Sequence, residues 1–128
     1  MTEKYFPGAG FRSHGVYNLT PVQAHQACLE GALLIDVREN YHSFLHTFDV
    51  RNLFYCPLSE LSAHFDRIPA NQPVILADAA GLKSREAVLL LMEKGYDNIA
   101  NLAGGMLEWN RENMPVKSDK TRRMSGSC

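Results

Sequence analysis

The side chains that could do chemistry in this chain fall into a few short stretches. The first is Asp78-Ala79-Ala80-Gly81-Leu82-Lys83, a polar turn between the apolar run Val74-Ile75-Leu76-Ala77 and a helical segment starting near Ser84. An aspartate there suits a turn residue that accepts backbone N–H groups at a helix start. A phosphoryl-accepting role would call for a second carboxylate and a metal site, and Ala79 and Ala80 supply neither. Lys83 is placed to meet an acidic ligand or to form an ion pair at the helix start, the commoner outcome. Cys28, Cys56 and Cys128 are odd in number and irregularly spaced, a pattern expected of reduced thiols rather than of a disulfide scaffold or zinc site. Cys56 ends an apolar run before Pro57 and is the alternative nucleophilic thiol, although a core thiol is the expected reading. Cys28 lies among Ala24, Ala27 and Leu29 and is assigned to packing, whereas Cys128 is expected to be exposed without an ordered pocket. His42 and His46 have the i, i+4 spacing that permits metal ligation, but no third ligand is placed beside them, so no metal is expected.

These residues need a frame. Thr20-Pro21-Val22-Gln23 has the form of a capping box with proline at the first helical position, predicting a helix to about Leu29 that Gly31 stops. Ala32 to Val37 reads as a strand buried on both faces and ends in the polar Asp36 and Arg38 region. The spacing of Tyr41, Phe44 and Leu45 predicts a helix over Asn40 to His46, followed by a short strand from Leu53 to Cys56. Leu61, Phe65 and Ile68 give Leu58 to Arg67 one apolar face. Val74 to Ala77 is a central strand, Ser84 to Lys94 a strongly apolar helix, and Ile99 to Leu102 a last strand. Gly104-Gly105 then opens a helix on which Met106 and Trp109 share a buried face. This alternation predicts an α/β fold with a mainly parallel sheet and helices on both faces. Ligands in such folds sit beyond the carboxyl ends of the strands, here near Asp36, Cys56, Asp78 and Gly104-Gly105.

The composition narrows the function classes. The 128 residues suit one domain, 45% are apolar, and the formal charge is -1 at pH 7. Without a concentrated positive field, neither nucleic acid nor membrane is expected as a partner. The longest apolar run, Ala87 to Met92, is far below the roughly 20 residues that span a bilayer. The first fifteen residues show no basic end followed by an apolar stretch, and a cytoplasmic location is expected. The Lys117, Lys120, Arg122 and Arg123 cluster reads as solubilising, and no partner follows from it.

Three ordered segments carry a family resemblance. They are Leu33-Leu34-Ile35-Asp36-Val37-Arg38-Glu39, then Pro57-Leu58-Ser59-Glu60-Leu61, then Gly95-Tyr96-Asp97-Asn98-Ile99 leading to Leu102-Ala103-Gly104-Gly105-Met106-Leu107-Glu108-Trp109. Together they resemble the rhodanese (sulfurtransferase) superfamily over residues 17–116. The resemblance implies a rhodanese-like, five-stranded, mainly parallel sheet, with the active loop between the fourth strand and the following helix. The domain is accordingly set at 16–116 with an N-terminal extension at 1–15, and residues 117–128, rich in Lys, Arg, Ser and Gly with little to bury, read as a flexible tail. Active members carry Cys-Arg-x-Gly-x-Arg or Thr in that loop. Aligned on Gly81, this chain has Asp78, Ala79, Ala80, Gly81, Leu82 and Lys83, so both the cysteine and its arginine are replaced. In such a loop, successive N–H groups curl into a nest that stabilises a thiolate or persulfide. A carboxylate cannot carry that sulfur, and Asp78 is expected to fill the nest with its own oxygens. By the same resemblance, Asp36 and Arg38 brace the loops around the site. The expected protein is a pseudoenzyme without a cofactor, acting as a binding or regulatory module for an unknown protein or small anionic ligand. The alternative is sulfur transfer through Cys56.

Overall fold

The computed structural model describes residues 2–118 and 126–128. In chain order they form β1 (Phe11–Ser13), β2 (Val16–Leu19), α1 (Pro21–Leu29), β3 (Leu33–Asp36), β4 (Thr47–Phe48), β5 (Leu53–Tyr55), α2 (Leu58–His64), β6 (Val74–Ala77), α3 (Leu82–Glu93), β7 (Ile99–Leu102), α4 (Gly105–Arg111), β8 (Val116–Lys117) and β9 (Gly126–Ser127), with short 3-10 turns between. The main sheet has the order β1-β2-β7-β6-β3-β5-β9. Five strands, β2, β7, β6, β3 and β5, run parallel, β1 adds antiparallel to β2 at one edge, and β9 adds parallel to β5 at the other. A separate pair joins β4 to β8.

Alternation along each strand feeds two cores. Leu34, Ile75, Ala77, Ala100 and Leu102 pack with Ala24 and Cys28 of α1 and with Met106 and Trp109 of α4. Leu33, Ile35, Val74, Leu76 and Ile99 pack on the other face with Leu61 of α2 and with Ala87, Val88 and Leu91 of α3. Helices therefore cover both faces, as a parallel sheet requires. The α1 start is the expected capping box: Gln23 N–H donates to Thr20 Oγ1 at 3.2 Å and Thr20 N–H donates to Gln23 Oε1 at 3.0 Å. No helix among the described residues is long and apolar enough to cross a membrane.

Several expectations are corrected. The five parallel strands are extended to a sheet of seven by Phe11–Ser13 at one edge and Gly126–Ser127 at the other, and Phe6 of the N-terminal extension is buried in the α1 core. The helix expected over Asn40 to His46 is a single 3-10 turn at Tyr41–Ser43. Asn40 enters the turn in a left-handed conformation with φ of +56°, and the backbone becomes extended at Phe44, so His42 and His46 do not share a helix face. Of the tail expected at 117–128, residues 119–125 lie outside the described residues. At its ends, Lys117 pairs with Thr47 across β8 and β4, while Gly126–Ser127 lies along Phe54–Tyr55. Cys128 is neither free nor without a pocket: it forms a disulfide with Cys56, which corrects the expectation of reduced thiols throughout. Cys28 is a buried free thiol.

Candidate functional site

β3 and β6 lie side by side, and the register Asp36↔Ala77 brings Asp36 next to the start of the loop that leaves β6. That loop turns at Gly81, whose φ of +92° favours a residue without Cβ, and runs into α3. Asp78, 3% exposed, turns its carboxylate back into the loop. Oδ1 accepts the Gly81 N–H and lies 3.1 Å from the Ser84 hydroxyl, and Oδ2 accepts the Lys83 N–H at 2.8 Å. The amino end of α3 and the loop thus direct their donors at one side-chain carboxylate, an arrangement favoured by charge-assisted hydrogen bonds and by the helix dipole.

The loop is fixed from behind by the Gly104-Gly105 turn. Met106 N–H donates to the Asp78 carbonyl at 2.8 Å and Leu107 N–H to the Ala79 carbonyl at 3.0 Å, so the first turn of α4 takes up the loop's outward carbonyls. The approach requires glycine: a Cβ on Gly105 would stand 2.5 Å from the Asp78 carbonyl oxygen and 2.7 Å from the Ala80 nitrogen. Beneath the loop, the Ser84 hydroxyl shares its one proton between Asp78 Oδ1 and Asn101 Oδ1, and the Asn101 amide donates to the Gly81 carbonyl at 3.2 Å and to Asn18 Oδ1 at 3.0 Å. Sequence reading did not single out Asn18, Ser84 and Asn101. The available signal was a buried-type strand carrying one amide: Asn101 within Ile99–Leu102 and Asn18 within Val16–Leu19. A polar residue in an all-buried strand must have a partner.

The second wall of the site comes from the residues after β3. Arg38 grips Asp36 with Nε at 3.0 Å from Oδ1 and Nη2 at 2.8 Å from Oδ2, while its backbone N–H donates to Oδ1 at 3.1 Å. The guanidinium also donates to the His46 carbonyl at 3.1 Å and lies 3.8 Å from the Phe44 ring centroid. Arg38 is therefore committed to holding the 44–46 segment against β3. Burial pushes the Asp36 carboxyl up, the Arg38 guanidinium and N–H pull it back, and the nearby Asp78 charge adds to the rise. Glu39 accepts from the Ser59 N–H at 3.0 Å and its hydroxyl at 2.8 Å, which ties this segment to the start of α2.

Between these walls lies a cavity of about 500 Å³ lined by Val37, Phe44, Leu58 and Ala79 with Arg38, Glu39, Ser59, Asp78 and Lys83. Its body is apolar, and most of its polar groups are engaged with one another. Lys83 is the exception: it is largely exposed at the mouth, with only a 3.9 Å approach to Glu86. Ala80 and Leu82 face outward, so of the six loop residues Asp78, Ala79 and Lys83 line the cavity. Cys56 does not belong to it. Its side chain has no exposed surface, packs with Ile35, Val37 and Leu61, and is bonded to Cys128, so in this state it is not an available nucleophile. Among the described residues, no group of three or more His, Cys, Asp or Glu side chains is placed to hold a metal ion.

Known proteins agree with this architecture. The chain is 32% identical over 102 residues to the thiosulfate sulfurtransferase GlpE of Haemophilus influenzae strain PittEE, covering 77% of this chain and 91% of that one. It is 28% identical over 104 residues to the protein of the same name from Actinobacillus pleuropneumoniae serotype 7, again across 77% of this chain and 94% of that one. Among solved structures, the rhodanese-related protein of Thermoplasma volcanium superposes with a TM-score of 0.71 at 24% identity, covering 80% of this chain and 98% of that one. Residues 20–112, from the cap of α1 to the end of α4, match the rhodanese-like domain, and with the loop after β6 seated on the Gly-Gly turn of α4, the chain belongs to that family.

Proposed function

We propose that this rhodanese-like domain lacks thiosulfate sulfurtransferase activity, because Asp78 stands where active members carry the nucleophilic cysteine, and that it works as a binding or regulatory module. One observation carries the reading: the Asp78 carboxylate, buried at the centre of the loop, already accepts from Gly81 N–H, Lys83 N–H and Ser84. The donors that would stabilise a thiolate or an incoming oxyanion are therefore engaged, and a carboxylate cannot accept and pass on a sulfane sulfur. What remains for recognition is the cavity. Its walls at Val37, Phe44, Leu58 and Ala79 suit an apolar group, and Lys83 at the mouth suits an anionic one. A ligand or protein segment combining the two fits this site better than free thiosulfate, which would meet the Asp78 charge.

Sulfur transfer through Cys56, the rival reading, has against it the complete burial of that residue and its bond to Cys128. The two readings separate in a thiosulfate:cyanide assay of the native chain beside Asp78→Cys, Asp78→Cys/Ala79→Arg and Cys56→Ala. The pseudoenzyme reading expects background turnover for native protein and a gain in the Asp78 variants. Native turnover abolished by Cys56→Ala would overturn it.

A further inference from the structure

We propose that the Cys56–Cys128 pair is a thiol–disulfide exchange site, entered by dithiols through the Cys128 sulfur, that holds or releases the C-terminal strand on the sheet edge. Two features of the packing support this. Cys56 is fully buried, whereas Cys128 is partly exposed, so the side of the bond that faces solvent is that of Cys128. Second, the strand that the disulfide anchors has little else to hold it. β9 is two residues long, in register Phe54↔Gly126 and Tyr55↔Ser127, with the Cys128 N–H donating to the Tyr55 carbonyl at 2.9 Å. Gly126 lies against the Phe54 ring, where a Cβ would come within 2.9 Å of two ring carbons, so the seat is shaped to this residue. Strands this short do not persist at a sheet edge without further support, and the covalent link supplies it.

The exchange balances as an ordinary two-electron reduction. A thiolate of the dithiol bonds to Cys128 Sγ as the bond to Cys56 breaks, and the Cys56 sulfur leaves as a thiolate that takes up a proton. The second thiol of the reductant, losing its proton, then attacks its own partner sulfur in the mixed disulfide and releases Cys128 as a thiolate that is protonated in turn. The dithiol ends as a disulfide, and the protein gains two thiols. The third cysteine does not compete, because burial pushes the Cys28 thiol up to about 12 and keeps it protonated and enclosed. Release changes the chain beside the cavity, since Cys56 is followed by Pro57 and then by the cavity residues Leu58 and Ser59. It also uncovers the Tyr55 carbonyl and the edge of β5.

The test uses the full chain in oxidised and reduced glutathione buffers and in dithiothreitol, quenched in acid, denatured, alkylated and weighed intact. Oxidising buffer is expected to leave one alkylatable cysteine and dithiothreitol three. Peptide mapping after a brief pulse of reduced glutathione is expected to find the mixed disulfide on Cys128. Hydrogen exchange of the backbone amide at position 128 is expected to quicken by at least about tenfold on reduction and in Cys128→Ser, with β6 unchanged. Three alkylatable thiols under oxidising conditions, glutathione on Cys56, or an unchanged Cys128 amide would each overturn the proposal.

Discussion

Replacing Asp78 by alanine isolates the carboxylate that fills the loop. The substitution removes the acceptor for two backbone donors, Gly81 N–H and Lys83 N–H, while Ser84 keeps Asn101 as a partner. Hydrogen bonds to a charged acceptor contribute about 1.5–3 kcal/mol each, so two of them represent roughly 3–6 kcal/mol. Two effects offset part of this: water can enter from the cavity to meet one donor, and removing a buried charge relieves the repulsion felt by Asp36. A net loss of about 3 kcal/mol follows, which at an m-value near 1.5 kcal/mol/M lowers the urea midpoint by roughly 2 M. The assay is equilibrium urea denaturation without reductant, so that the Cys56–Cys128 bond is the same in every variant. Lys83→Ala is the control. That side chain is 71% exposed and its ion pair is long, so its removal should stay within about 0.5 kcal/mol. If Asp78→Ala also fell within about 0.5 kcal/mol at unchanged m, the carboxylate would be an ordinary solvated turn residue and the filled-nest account would fail.

Two further outcomes follow from the same geometry. Gly105→Ala should cost about 3 kcal/mol or more, because its Cβ would meet the backbone of Asp78, Ala79 and Ala80 at 2.5–2.7 Å with φ at +57°. Gly95→Ala, with φ at +93° but open space around it, should cost only about 1–2 kcal/mol, and thermal denaturation of the pair separates crowding from backbone strain. Asp78→Asn should lower the Asp36 pKa, read by carboxyl-carbon NMR titration, since the Asp78 charge is one of the causes that raise it. A raised folded-state value contributes stability that is fully present below the unfolded value near 3.9 and is lost as pH rises through the folded value. In Asp78→Asn that loss should be smaller and fall at lower pH; an unmoved Asp36 titration would show that the two carboxyls are not coupled.

The core of the fold was legible where local and global preferences agree. The α1 capping box, the apolar strands β3, β6 and β7, and the Gly104-Gly105 turn stand close to where their residue types place them, because each is specified within a few neighbouring residues. The 40–46 segment misled because Tyr41, Phe44 and Leu45 have helical spacing although one 3-10 turn is enough to bring the two rings together. Tyr41 and Phe44 meet edge-on and both lie against Tyr55, Phe44 also covers Arg38, and Leu45 is exposed. β1 and β9 were missed because an edge strand of two or three residues carries no periodicity of its own and forms by pairing with a strand already in place. The Cys56–Cys128 bond joins residues 72 apart in sequence, and spacing does not encode such a contact. At the candidate site, the loop residues 78–83 are contiguous in sequence. Their supports, Asn18, Ser84 and Asn101, come from three elements that meet only in the folded sheet.

Residue 78 is where sulfur transfer is expected to be gained or lost. The decisive measurement is thiosulfate:cyanide turnover by the native chain beside Asp78→Cys and Asp78→Cys/Ala79→Arg. Background turnover for the native chain, with activity appearing when a thiol replaces the carboxylate among the Gly81, Lys83 and Ser84 donors, is the expected result. Native turnover that persists through substitution of Asp78 would contradict it, and would place the catalytic sulfur outside this loop.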